Sequence, residues 1–337
     1  MFTVLGQELA IKTIQKSLDG ERNHHAWIFS GPRGVGKYRT AEEFAKIILK
    51  DSGDRGLHPD LHIIRKEDVS WSNNPSLQRK KQINIPLDLL RERIIGGKTS
   101  DDKTHDAAAF KTPTRGNKKV FIIDEAELLD SAGQNALLKT LEEPPSGTTI
   151  ILVTSRDDLL LPTVHSRCNT VCFSPLCLDT MRAWSEVADL DATPVDLSWA
   201  IEFSNGSPGL VCEAIESELP QLALSLNSFL LLKKGDYSSI SRKLLLFTDA
   251  FVTNKLKLNS SASKEAANRR AGELVLLMFG SSAQKLTRGG FIEEGASASG
   301  VLVDIERQFS TNISIKVLLE SLATRWAHRC VGDSVFM

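Results

Sequence analysis

No two cysteines of this chain stand in a CxxC spacing. The five are Cys168, Cys172, Cys177, Cys212 and Cys330, so structural zinc, which needs closely spaced thiolate or imidazole ligands, is not expected. An odd cysteine count without a signal-peptide pattern points to a reducing cytoplasm. No apolar run approaches the roughly 20 residues of a membrane span, and no membrane partner is expected. Net charge is missing too. A formal charge of −1 over 337 residues leaves no basic surplus of the kind that wraps nucleic-acid phosphate, and the expected partners are proteins. What is present, 41% hydrophobic and 25% charged residues, can build two or three cores.

The most informative stretch runs from Val120 to Cys168. Four apolar residues precede Asp124-Glu125 and read as a buried parallel strand delivering two carboxylates to the carboxyl edge of a sheet, where open α/β folds place ligands. In an ATPase the first carboxylate holds Mg²⁺ and the second polarises the attacking water. An amphipathic helix ending LEEPP follows. The next strand, Thr149 to Thr154, ends in Thr154 and Ser155, hydroxyls placed to sense a γ-phosphate. Arg167, between Ser166 and Cys168 in a polar triplet before another strand, looks outward toward a neighbour.

Upstream, the strand Ala26 to Ser30 leads into Gly31-Pro32-Arg33-Gly34-Val35-Gly36-Lys37 and then into a helix with Ala41, Phe44, Ala45, Ile48 and Leu49 on one face. Strand, glycine-rich loop and helix are the context a phosphate loop requires. Gly31, Gly34 and Gly36 let backbone N–H groups turn toward phosphate, and the helix N-terminus adds partial positive charge. The loop then departs from its pattern. Tyr38 stands where Ser or Thr should ligate Mg²⁺, and a phenolic oxygen roughly 6 Å from its Cα cannot take that place. Phosphate binding through the backbone and Lys37 survives this change; efficient Mg-dependent hydrolysis does not.

The succession Leu5-Gly6-Gln7-Glu8, His25-Ala26, GPRGVGK, His58-Pro59-Asp60-Leu61, IIDEAELL, NALLKTLEEPP and SRC, over the first half of the chain, resembles the delta-prime family of bacterial DNA polymerase III clamp-loader subunits, which are AAA+ proteins. A further match, Asn205 to Leu210, falls where the family's motor subunits carry a second-sensor arginine, and that position here is Gly209. The resemblance implies an arginine finger at Arg167 donated in trans. It also implies Walker B carboxylates at Asp124 and Glu125, vestigial or retained, and a nucleotide site of Gly31, Gly34, Gly36, Lys37, Tyr38, Thr154 and Ser155. ATP and Mg²⁺ are the implied cofactors, with weak or absent turnover in this subunit. The implied partners are gamma/tau motor subunits, a delta subunit, the sliding clamp and, through the complex, primed DNA. Many relatives carry a four-cysteine zinc module between the P-loop helix and the HPDL phrase; Asp51 to Leu57 here has no cysteine. Two other readings stay open: an active gamma/tau-type ATPase, since Asp124 and Glu125 are intact, and a stand-alone P-loop phosphotransferase.

The expected fold is α/β: a doubly wound AAA+ P-loop domain over 1–175, a small helical lid over 176–218 and an all-helical oligomerisation domain over 219–337. Strands are expected at Ala26 to Ser30, Leu61 to Ile64, Val120 to Ile123, Thr149 to Val153 and Thr170 to Phe173, with a helix from Pro86 to Ile95. The polar tract 96–119 reads as a mobile insertion. The basic clusters Arg79-Lys80-Lys81 and Lys118-Lys119 read as solvated edges. His24 and His25 have a structural role at the strand entry, Trp184 and Trp199 and Leu159 to Leu161 read as packing, and Cys168 and Cys172 as small apolar residues flanking a strand.

Overall fold

The computed structural model describes residues 2–20, 24–51, 56–78, 83–231, 237–258, 262–309 and 313–330; Arg79-Lys80-Lys81 lie outside them. In chain order the strands are β1 (Ala26–Ser30), β2 (Leu61–Ile64), β3 (Gly97–Lys98), β4 (Thr104–His105), β5 (Lys119–Ile123), β6 (Thr148–Thr154) and β7 (Asn169–Cys172). The helices of the α/β part are α1 (Glu8–Asp19), α2 (Lys37–Leu49), α3 (Pro75–Gln78), α4 (Leu87–Leu90), α5 (Ser131–Glu142), α6 (Pro162–His165) and α7 (Leu178–Val187). Then follow α8 (Pro194–Phe203), α9 (Pro208–Glu216), α10 (Leu219–Ser225), α11 (Asn227–Leu230), α12 (Tyr237–Leu258), α13 (Lys264–Arg288), α14 (Ile292–Phe309) and α15 (Ile315–Cys330). The chain forms two compact units, one of residues 1–189 with 204–210, the other of 190–203 with 211–337.

The first unit is built on a five-stranded sheet in the order β2-β5-β6-β1-β7, with every pair parallel. Its central strands β5, β6 and β1 carry apolar runs through their middles, Val120–Ile123, Ile150–Val153 and Ala26–Phe29, because both faces are covered. Successive side chains point to opposite faces. Ala26, Ile28, Phe121, Ile123, Ile150 and Leu152 therefore enter one core with Leu137 and Leu141 of α5. Trp27, Phe29, Val120, Ile122, Ile151 and Val153 enter the other with Ala41, Phe44 and Ile48 of α2. Asp130 caps α5 by accepting the Gly133 N–H at 2.6 Å, satisfying a donor that the first helical turn leaves open.

Most strand expectations hold to within a residue. The expected helix over 86–95 is instead one α turn, Leu87–Leu90, followed by a π-helical turn, Arg91–Ile95, ended by Gly96 at φ 70°.

The larger correction concerns 96–119. This tract is structured: β3 and β4 form an antiparallel ribbon, a 3₁₀ turn follows at Ala108–Phe110, and Ala109 is buried. Polar bonds hold it, which is why apolar periodicity missed it. Asp60, 1% exposed, accepts the N–H groups of Thr114 at 2.6 Å and Arg115 at 2.7 Å. Lys119 is no solvated edge residue. It opens β5, is buried, and donates to the carbonyls of Ala108 and Lys111, both at 2.7 Å.

Smaller packing readings divide. His25 Nε2 bonds the Leu141 carbonyl at 2.9 Å and the His24 ring meets Trp27 edge-on, as a structural role requires. Trp184 and Trp199 are half-buried. Leu160 is buried, but Leu159 is 49% exposed. Cys168 packs against a core and burial pushes its thiol up to about 12, whereas Cys172 is exposed and lies within β7.

The second unit is helical among its described residues. Trp326 of α15 is 1% exposed, meets Phe279 of α13 edge-to-face at 4.8 Å and donates its indole N–H to the Phe229 carbonyl at 3.2 Å. Arg270 of α13 grips the Glu213 carboxylate with Nε at 2.9 Å and with Nη2, and donates Nη1 to Glu273 at 2.9 Å.

Asp60 supplies a test of the polar anchoring. Burial alone would raise its carboxyl; the donors from Thr114 and Arg115 overcome that and hold it below the usual aspartate range. A depressed native pKa stabilises above the unfolded value and the contribution is lost as pH falls through it. Asp60→Asn should lower unfolding free energy by about 1.5–3 kcal/mol at neutral pH, and the gap from wild type should narrow below about pH 4. Urea denaturation from pH 3 to 7 measures this; a pH-independent gap would contradict the ionised anchor.

Candidate functional site

The site forms where β1, β5 and β6 end. Gly31, Gly34 and Gly36 take φ of 148°, 79° and 101°, and Gly36 is followed by α2. Lys37 is 5% exposed and turns back onto its own loop, donating to the carbonyls of Gly31 at 2.7 Å and Pro32 at 2.6 Å and to Ser155 Oγ at 3.2 Å. Burial pushes its ammonium down to about 8 against the pull of Glu127 and Asp124. Ser155 also donates its backbone N–H to Glu127 Oε1 at 3.2 Å. Thr154, paired in register with Ser30, is buried and its hydroxyl accepts the Arg156 N–H at 3.1 Å. Ser155 therefore joins Lys37, and Thr154 serves the backbone.

Asp124 and Glu125 are brought together as expected, with Glu125 in the left-handed region at φ 51°. Sequence reasoning missed their partners. Arg33, inside the loop, reaches Glu125 Oε1 at 3.2 Å, Lys66 reaches Glu125 Oε2 at 2.6 Å, and Arg65 lies 3.7 Å from Asp124 Oδ2. The signal was available: β2 is the parallel neighbour of β5 and Ile64 pairs with Ile123, so the next two residues of each strand meet at the sheet edge. Burial, then repulsion from Glu125, raises the Asp124 carboxyl to about 6, with Arg65 opposing. Glu127 was also missed; its Oε2 is buried and has no hydrogen-bond partner.

Tyr38 turns its hydroxyl to Glu42 Oε1 at 2.7 Å, and the Arg65 guanidinium covers its ring at 4.5 Å. Burial first, then the bond to Glu42, raises its phenol above the ordinary range. The loop thus offers no short hydroxyl where Mg²⁺ would need one, and its donor set does not fit that ion. Among the described residues no group of three or more His, Cys, Asp or Glu is arranged to hold a metal.

Residues 207–210 close the far side of the loop. Ser207 Oγ donates to the Arg33 carbonyl at 2.8 Å and the Gly209 N–H to the Gly34 carbonyl at 2.9 Å. A Cβ on Gly209 would meet Gly34 Cα at 2.8 Å, a collision that leaves no room for a sensor arginine's side chain. Gln7, of the LGQE phrase, is buried and donates to the carbonyls of Val35 at 3.1 Å and Ser174 at 2.7 Å, tying the N-terminal segment to the same loop.

Arg167 belongs to a separate surface after α6. Its side chain is 30% exposed and paired with Glu142 at 3.2 Å.

A parallel sheet of this order, with a phosphate loop after the interior strand β1 and paired carboxylates after β5, defines an AAA+ P-loop α/β domain. The model of the family described as "DNA polymerase III, delta subunit" matches residues 6–177, just over half of the chain, and the chain belongs to that clamp-loader family. It is 30% identical over 184 residues to the delta-prime subunit of Bacillus subtilis, covering 50% of this chain and 48% of that protein. It is 32% identical over 209 residues to the gamma/tau subunit of Mycobacterium tuberculosis, covering 61% of this chain and 34% of that one. The chain thus spans between about a third and a half of these curated relatives. A solved gamma-subunit-related protein from Thermotoga maritima aligns with 96% of this chain and 99% of its own at 17% identity and TM-score 0.49. Among the described residues no helix is long and apolar enough to cross a membrane.

Asp124 gives the site's own prediction. A carboxyl whose native pKa is raised costs stability once ionised, and the cost disappears as pH falls below the unfolded value. Asp124→Asn should therefore stabilise the nucleotide-free chain by about 1–3 kcal/mol above pH 6, with the gain fading between pH 6 and 4. Equal destabilisation across that range would show instead that the carboxylate is a net stabilising anchor.

Proposed function

We propose that this chain is a delta-prime-like subunit of a DNA polymerase III clamp-loader complex, acting in the cytoplasm to help load the sliding clamp onto primed DNA. In this reading 1–175 is the AAA+ domain, 176–218 the lid and 219–337 the domain that joins a ring with gamma/tau motor subunits and delta. The observation that carries it is the contrast between two sets of groups. Lys37 and Gly209 bond carbonyls of the chain's own phosphate loop and Tyr38 bonds Glu42 of α2, all beside that loop, while Arg167, paired with Glu142, keeps a partly exposed guanidinium at the surface. A subunit so arranged acts on a neighbour's nucleotide.

The chemistry asked of Arg167 is electrostatic. A planar fork entering the adjacent ATP site binds phosphoryl oxygens bidentately and stabilises charge that develops during transfer. ATP binding around the ring then favours the state that holds the clamp open, and hydrolysis on primed DNA lets it close. The second reading, an active gamma/tau-type ATPase, draws on the intact Asp124-Glu125 pair and the similarity to gamma/tau subunits.

In a complex reconstituted with its partners, Arg167→Ala should leave assembly by gel filtration intact. It should lower clamp- and DNA-stimulated turnover at the affected site by on the order of ten- to a thousandfold. Arg167→Lys should rescue poorly, since an ammonium lacks the fork. Lys37→Ala should change turnover little. Unchanged turnover in the Arg167→Ala complex would sink the reading, and a collapse on Lys37→Ala would move the chain to the motor class.

A further inference from the structure

Glu142 is the last residue of α5 and the first glutamate of the LEEPP phrase. The C-terminal end of a helix carries partial negative charge, so a carboxylate there is disfavoured. Helix formation does not account for it. Its partner does. Glu142 Oε2 accepts from Arg167 Nε at 3.4 Å and from Arg167 Nη2 at 3.2 Å. Arg167 Nη1 donates to the Thr163 carbonyl at 3.1 Å and to Ser166 Oγ at 3.3 Å. A guanidinium has five N–H donors in a fixed fork, and these four contacts leave it folded onto its own subunit.

From this geometry we propose that Glu142 parks the Arg167 guanidinium in cis, and that breaking the Glu142–Arg167 pair is a step in engaging the neighbouring nucleotide. The inference rests on the trans role of Arg167 proposed above. A phosphate that takes the fork must displace Glu142 from the Nε/Nη2 edge, because that edge is already filled. The exchange is feasible. The two side chains are 30% and 60% exposed, and exposed ion pairs are weak, whereas charge-assisted bidentate bonds to phosphate are stronger. Glu142 is thus a positioning residue that sets a resting state and competes with the neighbour's phosphate for the same donors.

The test uses the full chain in the reconstituted complex and reads ATPase without clamp or DNA (resting) and with both (stimulated). Glu142→Gln should raise resting turnover up to about fivefold, the equivalent of about 1 kcal/mol. Stimulated turnover should not change, since the latch is then already open. Glu142→Asp, whose shorter carboxylate loses the reach, should move resting turnover the same way. In an Arg167→Ala background neither change should have any effect, a dependence that a merely structural glutamate would not display. Resting turnover that is unchanged or lowered by Glu142→Gln, or a rise that persists without Arg167, overturns the latch alone. An Arg167→Ala complex as active as wild type in both states overturns the trans-arginine reading and the latch with it.

Discussion

The interaction on which the rest of the site depends is the set of hydrogen bonds from Lys37 to the carbonyls of Gly31 and Pro32, its own loop. A buried ammonium must be paired, and here the loop backbone pairs it from within. With the cation turned inward, the carboxylates after β5 take other partners, Arg33 and Lys66 for Glu125 and Arg65 for Asp124. Arg65 in turn lies over the Tyr38 ring. The end of the sheet becomes one connected network of cations, carboxylates and a phenol.

Glycine contacts set the shape of that network. Gly34 and Gly209 approach so closely that a side chain at either would collide with the other segment, and Ser207 bonds the carbonyl between Pro32 and Gly34. Tyr38 fills the space beside Arg65 and Glu42, and Gly209 lets residues 207–210 lie directly on the loop.

The parallel sheet was legible in the sequence because its central strands carry apolar runs and its two turns of chemistry, GPRGVGK and DE, follow strands directly. The grouping of Gly31, Gly34, Gly36, Lys37, Asp124, Glu125 and Ser155 was legible for the same reason. What escaped was held by polar bonds without periodicity. The tract 96–119 is fixed by Asp60, which the sequence showed only as part of a phrase, and by Lys119, which was read as a solvated edge. Arg65 and Lys66 look like loop charges until strand register sets them opposite Asp124 and Glu125. Glu142 was read only as part of a phrase; its bond to Arg167, 25 residues on, is set by how α5 and α6 meet.

The central claim is that this chain's own phosphate loop is committed to internal contacts and lacks a Mg²⁺ ligand. Calorimetric titration of the purified chain with ATP, with and without Mg²⁺, tests it most directly. The account predicts weak binding that Mg²⁺ does not strengthen. Binding that Mg²⁺ tightens by an order of magnitude or more, and that Lys37→Ala abolishes, would contradict it.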